Sequence, residues 1–314
     1  MRVFVAGATG AVGDRLVPML VDAGHKVVAM TRSEGKEASL RAAGAEPALV
    51  PDPLDGPSVE HAVRRAEPEA VVHHLTALSG SINMRKFDQA FALTNRFRTE
   101  TTRHLLAGAR AAGARRFLAQ SFGGWPYAHE GGPVKTEDDP LDPAPAKQAT
   151  DTLAAIREQE ELLAGAAELE GIALRCGGFY GPGNALGKGG EIVEMVAKRR
   201  FPIVGDGTGV WSFLHIEDAA SATVAALERG ARGVYNVADD APAPVSEWLP
   251  YLAEVLGAKP PRRLPVWIGR LAIGEFGVRM MNSVRGASNA KAKHELGWQP
   301  RYASWREGFR TGLG

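Results

Sequence analysis

Apolar positions along this chain fall into two rhythms. Val3 to Ala6 is a short β-branched run stopped by Gly7, the pattern of a strand buried on both faces. Behind it Val12, Leu16, Met19 and Leu20 recur at helical spacing, and Gly24 stands where that helix should end. The pair then repeats. Lys26 to Met30 reads as a second strand, Leu40 to Gly44 as helical, Ala48 to Val50 as a weak third strand and Val59 to Ala66 as a helix. Ala70 to Leu75 predicts a fourth strand, Phe87 to Ala112 a long helix and Arg116 to Gln120 a fifth strand. Leu153 to Leu169 then reads as helix and Ile172 to Cys176 as a sixth strand. Such alternation predicts right-handed βαβ units and an α/β fold with a doubly wound parallel sheet. Ligands of such a sheet gather at the carboxyl ends of its strands.

After Cys176 the alternation is lost. Gly, Pro and short helical stretches mix, and Pro260, Pro261 and Pro265 mark a late turn region. Residues 123–149 hold several Pro and Gly and many acids. That is long for a connector, which favours a lid or substrate edge.

Composition narrows the class. Of 314 residues, 45% are hydrophobic and 23% charged, as in a soluble globular protein. Lys plus Arg number 37 against 36 acids, a net charge of +1, so nothing invites nucleic acid. The one cysteine, Cys176, forms no internal disulfide and excludes a cysteine zinc cage, and no metal is expected. The start, MRVFVAGATG, lacks the basic-then-apolar run of a signal peptide, and no apolar stretch is long enough for a bilayer. The expectation is a cytoplasmic protein with no membrane partner.

Candidate chemistry begins at Gly7-Ala8-Thr9-Gly10-Ala11-Val12-Gly13, between the first strand and the first helix. Gly7 allows the tight turn, Gly10 lets the backbone approach a pyrophosphate, and Gly13 lets helix and sheet pack closely. The helix N-terminus then offers free N–H groups to the phosphates. The fold is thus expected to be Rossmann-type. Residues 1–176 form its dinucleotide-binding domain, and 177–314 are mainly a smaller substrate-binding lobe with segments returning to the sheet. The second strand ends Ala29-Met30-Thr31-Arg32-Ser33, without the acid that would bond a ribose 2′-OH. Arg32 can grip a 2′-phosphate in a fork, which favours NADPH and leaves NADH open.

The spacing G-x-x-G-x-x-G resembles that of the short-chain dehydrogenase/reductase superfamily, in its extended and atypical branches. The resemblance covers nearly the whole chain. It runs through Leu75-Thr76-Ala77, Asn95 to Thr99, the run RCGGFYGPG from Arg175 to Gly183, and FLHIED from Phe213 to Asp218. Tyr235-Asn236-Val237 and Leu296-Gly297-Trp298-Gln299-Pro300 continue it. It implies cofactor contacts from Gly7, Thr9, Gly10, Ala11, Val12 and Gly13. Further contacts would come from Asp52, Pro53, Leu54, Leu75, Thr76, Ala77, Asn95, Ser121, Gly177, Phe179 and Tyr180. Asp52 has an equal claim as a turn former beside Pro53.

The family's usual catalyst is Tyr-x-x-x-Lys with a Ser or Thr. None of the five tyrosines here has Lys four residues on. Aligning Glu160 with the family's later Glu puts Thr152 in the Tyr place and Ile156 in the Lys place. In the V-S-S segment Phe122 takes the place of the second Ser, so Ser121 remains as a donor to a substrate carbonyl. Tyr127 and Tyr180 stand beyond the fifth and sixth strands as further donor candidates, against packing roles for both. Of His73 and His74 one should be buried and the other is open to the cofactor, with burial the default. His215 reads as structural.

Hydride transfer belongs to the cofactor. A reductase needs only to hold a carbonyl against it and let a proton arrive, whereas oxidising a sugar alcohol needs a strong base. The resemblance therefore implies an atypical ketoreductase that uses NADPH on a bulky, aromatic polyketide ketone. A non-catalytic NADP(H) sensor and a nucleotide-sugar epimerase or dehydratase are the alternatives. Phe122, Trp125, Tyr127, Trp211, Phe213 and Trp267 suit a flat apolar ligand, or serve ordinary packing. Extended family members often dimerise through two helices. Here Arg96, Arg98, Arg103, Glu158 and Glu161 charge that surface, so a monomer or a homodimer is expected.

Overall fold

The computed structural model describes residues 1–78 and 82–314. Seven strands form one all-parallel sheet: β1 (Arg2–Ala6), β2 (Lys26–Thr31), β3 (Glu46–Leu49), β4 (Ala70–His73), β5 (Arg116–Phe122), β6 (Glu170–Cys176) and β7 (Gly233–Val237). Their order is β7-β6-β5-β4-β1-β2-β3. The chain reverses direction across the sheet between β1 and β4, which opens a crevice at the strands' carboxyl ends. Ala6 pairs with Met30 and His73, and Phe122 with Cys176, so Gly7, Arg32, His74 and Gly177 follow one rim.

The sheet is buried on both faces, as the period-two pattern of β1 requires. Val3 and Val5 pack under α1 (Gly13–Asp22). Between β2 and β5 run α2 (Glu37–Ala42), α3 (Gly56–Ala66), α4 (Phe87–Arg96) and α5 (Thr102–Ala111). Phe4 and Val71 pack against Val59 and Val63 of α3 and Leu105 of α5 on the other face. The expected single helix over 87–112 is broken by a wide π turn at Phe97–Thr101. That turn admits an extra residue and rotates the face behind it. Arg98, expected on the charged surface, is consequently 4% exposed, its guanidinium 5.8 Å from the Phe91 ring centre.

Helix α6 (Thr150–Gly165) leads into β6, and the second half carries α7 (Glu191–Ala197), α8 (Ile216–Arg229), α9 (Val245–Val255), α10 (Val266–Asn282), α11 (Ala290–Leu296) and α12 (Trp305–Thr311). Ala219 and Ala226 of α8, Tyr235 of β7 and Ala292 of α11 join the first core against the sheet. Tyr180, Phe213, Trp248, Trp305 and Phe309 form a separate aromatic core for the rest. Among the described residues no helix is long and apolar enough to cross a membrane.

Candidate active site

The glycine loop is shaped by close contact. Gly7 has φ +97°, and a Cβ there would sit 2.6 Å from the carbonyl carbon of His74. A Cβ on Gly13 would meet the Gly7 oxygen at 2.2 Å. Both positions therefore exclude a side chain. Gly10 differs: it is exposed, and an added Cβ would meet only the Gly7 oxygen, at 3.4 Å. Its open side faces no protein, and no side chain caps the start of α1. Asp14 and Arg15 N–H turn back to the Gly10 and Val12 carbonyls, but among the described residues the N–H groups of Ala11, Val12 and Gly13 have no backbone acceptor, and the cradle they form fits a dinucleotide pyrophosphate. Thr9, Ala11 and Val12 complete the loop.

Around the rim, Arg32 is exposed and, among the described residues, has no hydrogen bond or ion pair. Its guanidinium is available to a phosphate at the tip of β2. Asp52 forms a local turn, accepting from the Leu54 N–H at 2.9 Å, with its second oxygen unengaged. Pro53 is buried and its carbonyl accepts from Thr101. Leu75 and Ala77 are half-buried and Thr76 is exposed beyond β4. Leu75 N–H donates to His73 Nδ1, and Ala77 N–H to Thr94 Oγ1. Both histidines are buried. His73 bonds the Phe97 carbonyl and burial holds its pKa down at about 4, while His74 bonds Gln120 and Thr223. Neither reaches the crevice.

Helix α6 sits where the resemblance puts the catalytic pair. Its N-terminus is capped from another helix: Asp88 of α4 accepts from the N–H groups of Asp151 and Thr152 at 3.1 and 2.9 Å. The Thr152 hydroxyl also donates to Asp88, at 2.6 Å, and accepts from Asn95 Nδ2 at 3.0 Å. Thr152 is fully buried, so its hydroxyl ties α4 to α6 and is not presented to a substrate. Ile156, one turn on, is buried among aromatic side chains.

A second network lies behind the tips of β5 and β6. Ser121 donates to Glu160 Oε1 at 2.7 Å. Glu160 holds Arg175 in a two-point fork, 2.9 and 2.7 Å, with the side chains only 11% and 7% exposed. Arg175 donates to the Tyr127 hydroxyl at 2.9 Å, and that hydroxyl donates to Asn236 Oδ1 at 2.6 Å. Tyr127 is 0% exposed, and burial pushes its pKa up despite the neighbouring guanidinium. The expectation of a lid-borne proton donor is corrected here. The ring is sealed beneath Arg175, and its hydroxyl is spent in anchoring the 123–149 segment. The same segment pairs Val134–Lys135 with Gly286–Ala287, so its near half is fastened to the protein.

Tyr180 is also corrected as a cofactor-side donor. It packs in the second-half core beside His215, Phe213 and Phe309, and its hydroxyl lies so near α12 that Gly308 has no room for a Cβ. Phe179 is half-buried against the first core. Gly177 is required by Ser212, whose carbonyl oxygen would lie 2.8 Å from a Cβ. His215 is structural, bonding the Gly312 carbonyl and the Glu217 N–H.

Beside α6, Phe87 and Phe91 of α4, Trp125 and Phe276 of α10 form a buried aromatic cluster, with Phe122 packed against it half-buried. Their ring centres lie 4.3 to 5.9 Å apart in tilted and edge-on pairs. The chain pattern named Trp125 and Phe122, but Phe87, Asp88 and Phe276 come from elements that only the fold brings together. Among the described residues there is no cluster of metal-binding type.

Comparison with known proteins gives a consistent answer. The profile of the NAD dependent epimerase/dehydratase family matches residues 3–238. A 3-diazoavenalumate denitrifying reductase from a Streptomyces species is 45% identical over 98% of this chain and 99% of its own length. A 4-hydroxy-2-methyl-3-oxo-4-farnesyl-3,4-dihydroquinoline-1-oxide ketoreductase from Stigmatella aurantiaca is 29% identical over 82% of this chain and 74% of its own. Among solved structures, a Thermus thermophilus UDP-glucose 4-epimerase complex with NAD superposes with a TM-score of 0.73, 25% identity, and coverage of 100% of this chain and 98% of the other.

Proposed function

This chain belongs to the NAD dependent epimerase/dehydratase family of extended short-chain dehydrogenases/reductases, and we propose that within it the protein is an NADPH-dependent reductase of a bulky aromatic substrate. That it is an NAD(P)-dependent oxidoreductase follows from the family and its reductase relatives. The finer reading rests on one observation. Thr152, which aligning Glu160 with the family's later Glu puts in the Tyr place, has its hydroxyl committed to Asp88, and Ile156, put in the Lys place, is aliphatic and buried.

Such a site suits an acceptor that asks no acid of the protein. NADPH, when bound, supplies the hydride. The glycine loop and α1 would hold its pyrophosphate, Arg32 its 2′-phosphate, and the rim from Leu75 to Ala77 its nicotinamide half. Asn95, Asp88 and Thr152 fix α6 behind it. The aromatic cluster beside α6 would offer an apolar edge for a flat substrate, and holding it in place lowers the barrier by positioning alone.

Two acceptors meet the requirement. A ketone beside a phenol, as in an angucycline-type polyketide, polarises its own carbonyl and draws its proton from the phenol or water. The ketoreductase relative favours this reading. An aryl diazonium needs no proton at all: the carbon–nitrogen bond breaks with loss of dinitrogen, and the hydride ends on the ring carbon. The 45% identical denitrifying reductase favours that one.

The test is NADPH consumption by the purified protein with a hydroxylated aryl ketone and, separately, an aryl diazonium salt. Turnover of either supports the reductase. Tight NADPH binding with no turnover of any acceptor would leave a dinucleotide sensor instead. The charged outer faces of α4 to α6, where Arg96 pairs with Glu100 and Arg103 with Glu158, favour a monomer. Light scattering showing a tight dimer would count against it.

A further inference from the structure

Most large apolar side chains of this protein are covered, and the exceptions are not scattered. Val266, Trp267 and Leu271 of α10 are 40%, 65% and 68% exposed, and among the described residues no other large apolar side chain passes 41%. All three stand in the first two turns of the helix. Val266 and Arg270 are four residues apart, as are Trp267 and Leu271, so they share one face. The opposite side is pressed onto the protein. A Cβ on Gly269 would meet Val204 Cγ1 at 2.2 Å, and Ile273 packs against the second-half core. Gly274, with φ +74° and ψ 178°, then kinks the helix, and beyond it Phe276, Val278 and Met281 are buried. The exposed face is therefore a convex patch confined to the outer half of α10.

Cations frame it at both ends. Arg85, in the turn Met84–Lys86, donates to the Leu271 carbonyl at 2.7 Å, which sets Arg85 and Lys86 beside the inner end. Arg262 and Arg263 lead into the outer end, where Arg263–Leu264 pairs in parallel with Ile203–Val204. These four side chains are exposed and have no carboxylate partner among the described residues. Arg199 donates to the Pro260 carbonyl at 2.8 Å, which brings a further basic run to the same ribbon. Of the acids nearby, Glu275 is engaged by Arg270 at 2.8 Å and Asp88 by α6, which leaves Asp206 exposed. The chain as a whole carries only +1, so the charge here is a local excess.

An aromatic and aliphatic helix face ringed by unpaired cations matches the surface of an anionic bilayer. Trp settles at headgroup depth, long basic side chains reach the lipid phosphates, and anionic lipids attract them. A protein partner fits less well, because a stable interface buries about 800 Å2 on each side, and three side chains on two convex turns make neither a groove nor a core of that size. We propose that the outer half of α10, with the cations around it, docks on an anionic bilayer surface, Trp267 and Leu271 entering the headgroup layer. Lying on a surface needs no spanning helix, so the lack of one, from which the chain pattern excludes a membrane partner, does not oppose it. The inference stands apart from the reductase reading.

The test is co-sedimentation of the purified protein with vesicles of phosphatidylcholine alone, or of phosphatidylcholine mixed equally with phosphatidylglycerol. Wild type is expected to bind the mixed vesicles about tenfold more tightly or better, and added salt should weaken that binding. Trp267→Ser with Leu271→Ser should weaken it about tenfold, through lost apolar burial. Arg262→Gln with Arg263→Gln should weaken it about tenfold or more and reduce the preference for the anionic lipid. A Tm equal to wild type reports that each variant is folded. Binding to neither vesicle, or equally to both, overturns the proposal. So does binding that survives either pair of substitutions unchanged; survival of the first pair would mean adsorption by charge alone. Dimerisation seen by light scattering and abolished by Trp267→Ser with Leu271→Ser, without vesicle binding, would overturn it in favour of a second copy of the chain.

Discussion

Arg32 and Asp239 show how far single residues decide behaviour. In the proposed reading Arg32, exposed beyond the tip of β2, grips a phosphate on the adenosine ribose. Charge-assisted bonds of that kind contribute about 1.5–3 kcal/mol, so Arg32→Ser should weaken NADPH about tenfold or more and leave NADH unchanged. Fluorescence titration of both nucleotides measures it, and equal losses for the two would remove Arg32 from that role. Asp239 lies at the opposite extreme of burial, 1% exposed at the end of β7. One carboxylate oxygen accepts from the Ala241 N–H, and among the described residues the other has no partner. Burial pushes its pKa up from 3.8 to about 7. The folded state therefore keeps a proton that the unfolded chain releases, and stability falls as pH rises from about 4 to about 7. Asp239→Asn should raise the Tm at pH above this window and gain little below it. A gain that is the same at both ends would contradict the assignment.

At the scale of elements, α6 is held by groups that no local pattern reveals. Its N-terminus carries no cap of its own, and Asp88 supplies one from 64 residues away. Asp88→Ala should cost about 1 kcal/mol in denaturant unfolding, as loss of a helix cap does. A neutral result would mean that water replaces the carboxylate. The Glu160–Arg175 fork joins α6 to β6 deeper in the protein. Glu160→Gln strands a buried guanidinium and should cost about 3–5 kcal/mol, whereas Glu160→Leu with Arg175→Met should cost far less. Equal losses in the two would show that packing, not the stranded charge, sets the cost. The alternation of strands and helices was legible because periods of 2 and 3.6 are local, and the glycine loop because its spacing is. The π turn that buries Arg98 was not, since it depends on what packs behind α4. Nor was the fate of Tyr127, whose partner Asn236 lies 109 residues on in sequence.

For the whole molecule, the parallel sheet sets one crevice, and everything placed along it has a single chemical theme. In the proposed reading the glycine loop, the turn into α1 and Arg32 seat a phosphorylated dinucleotide. Beside it lies a buried aromatic cluster with Ile156, which in the proposed reading takes the place of one member of the family's proton-relaying pair. The two halves of the chain meet there because β7, α8 and α11 return to the sheet while α10 bends toward α4. The central claim is that this crevice passes hydride from NADPH to an aromatic acceptor without a tyrosine acid. The most direct measurement is mass spectrometry of the product formed with NADPH deuterated at nicotinamide C4, offered a hydroxylated aryl ketone or an aryl diazonium salt. The account predicts one deuterium, on the carbinol carbon or on the ring carbon that has lost nitrogen, and the same in Tyr127→Phe. Bound NADPH that yields its deuterium to neither acceptor would contradict it, as would label transfer that disappears with the Tyr127 hydroxyl in a variant that still folds and binds NADPH.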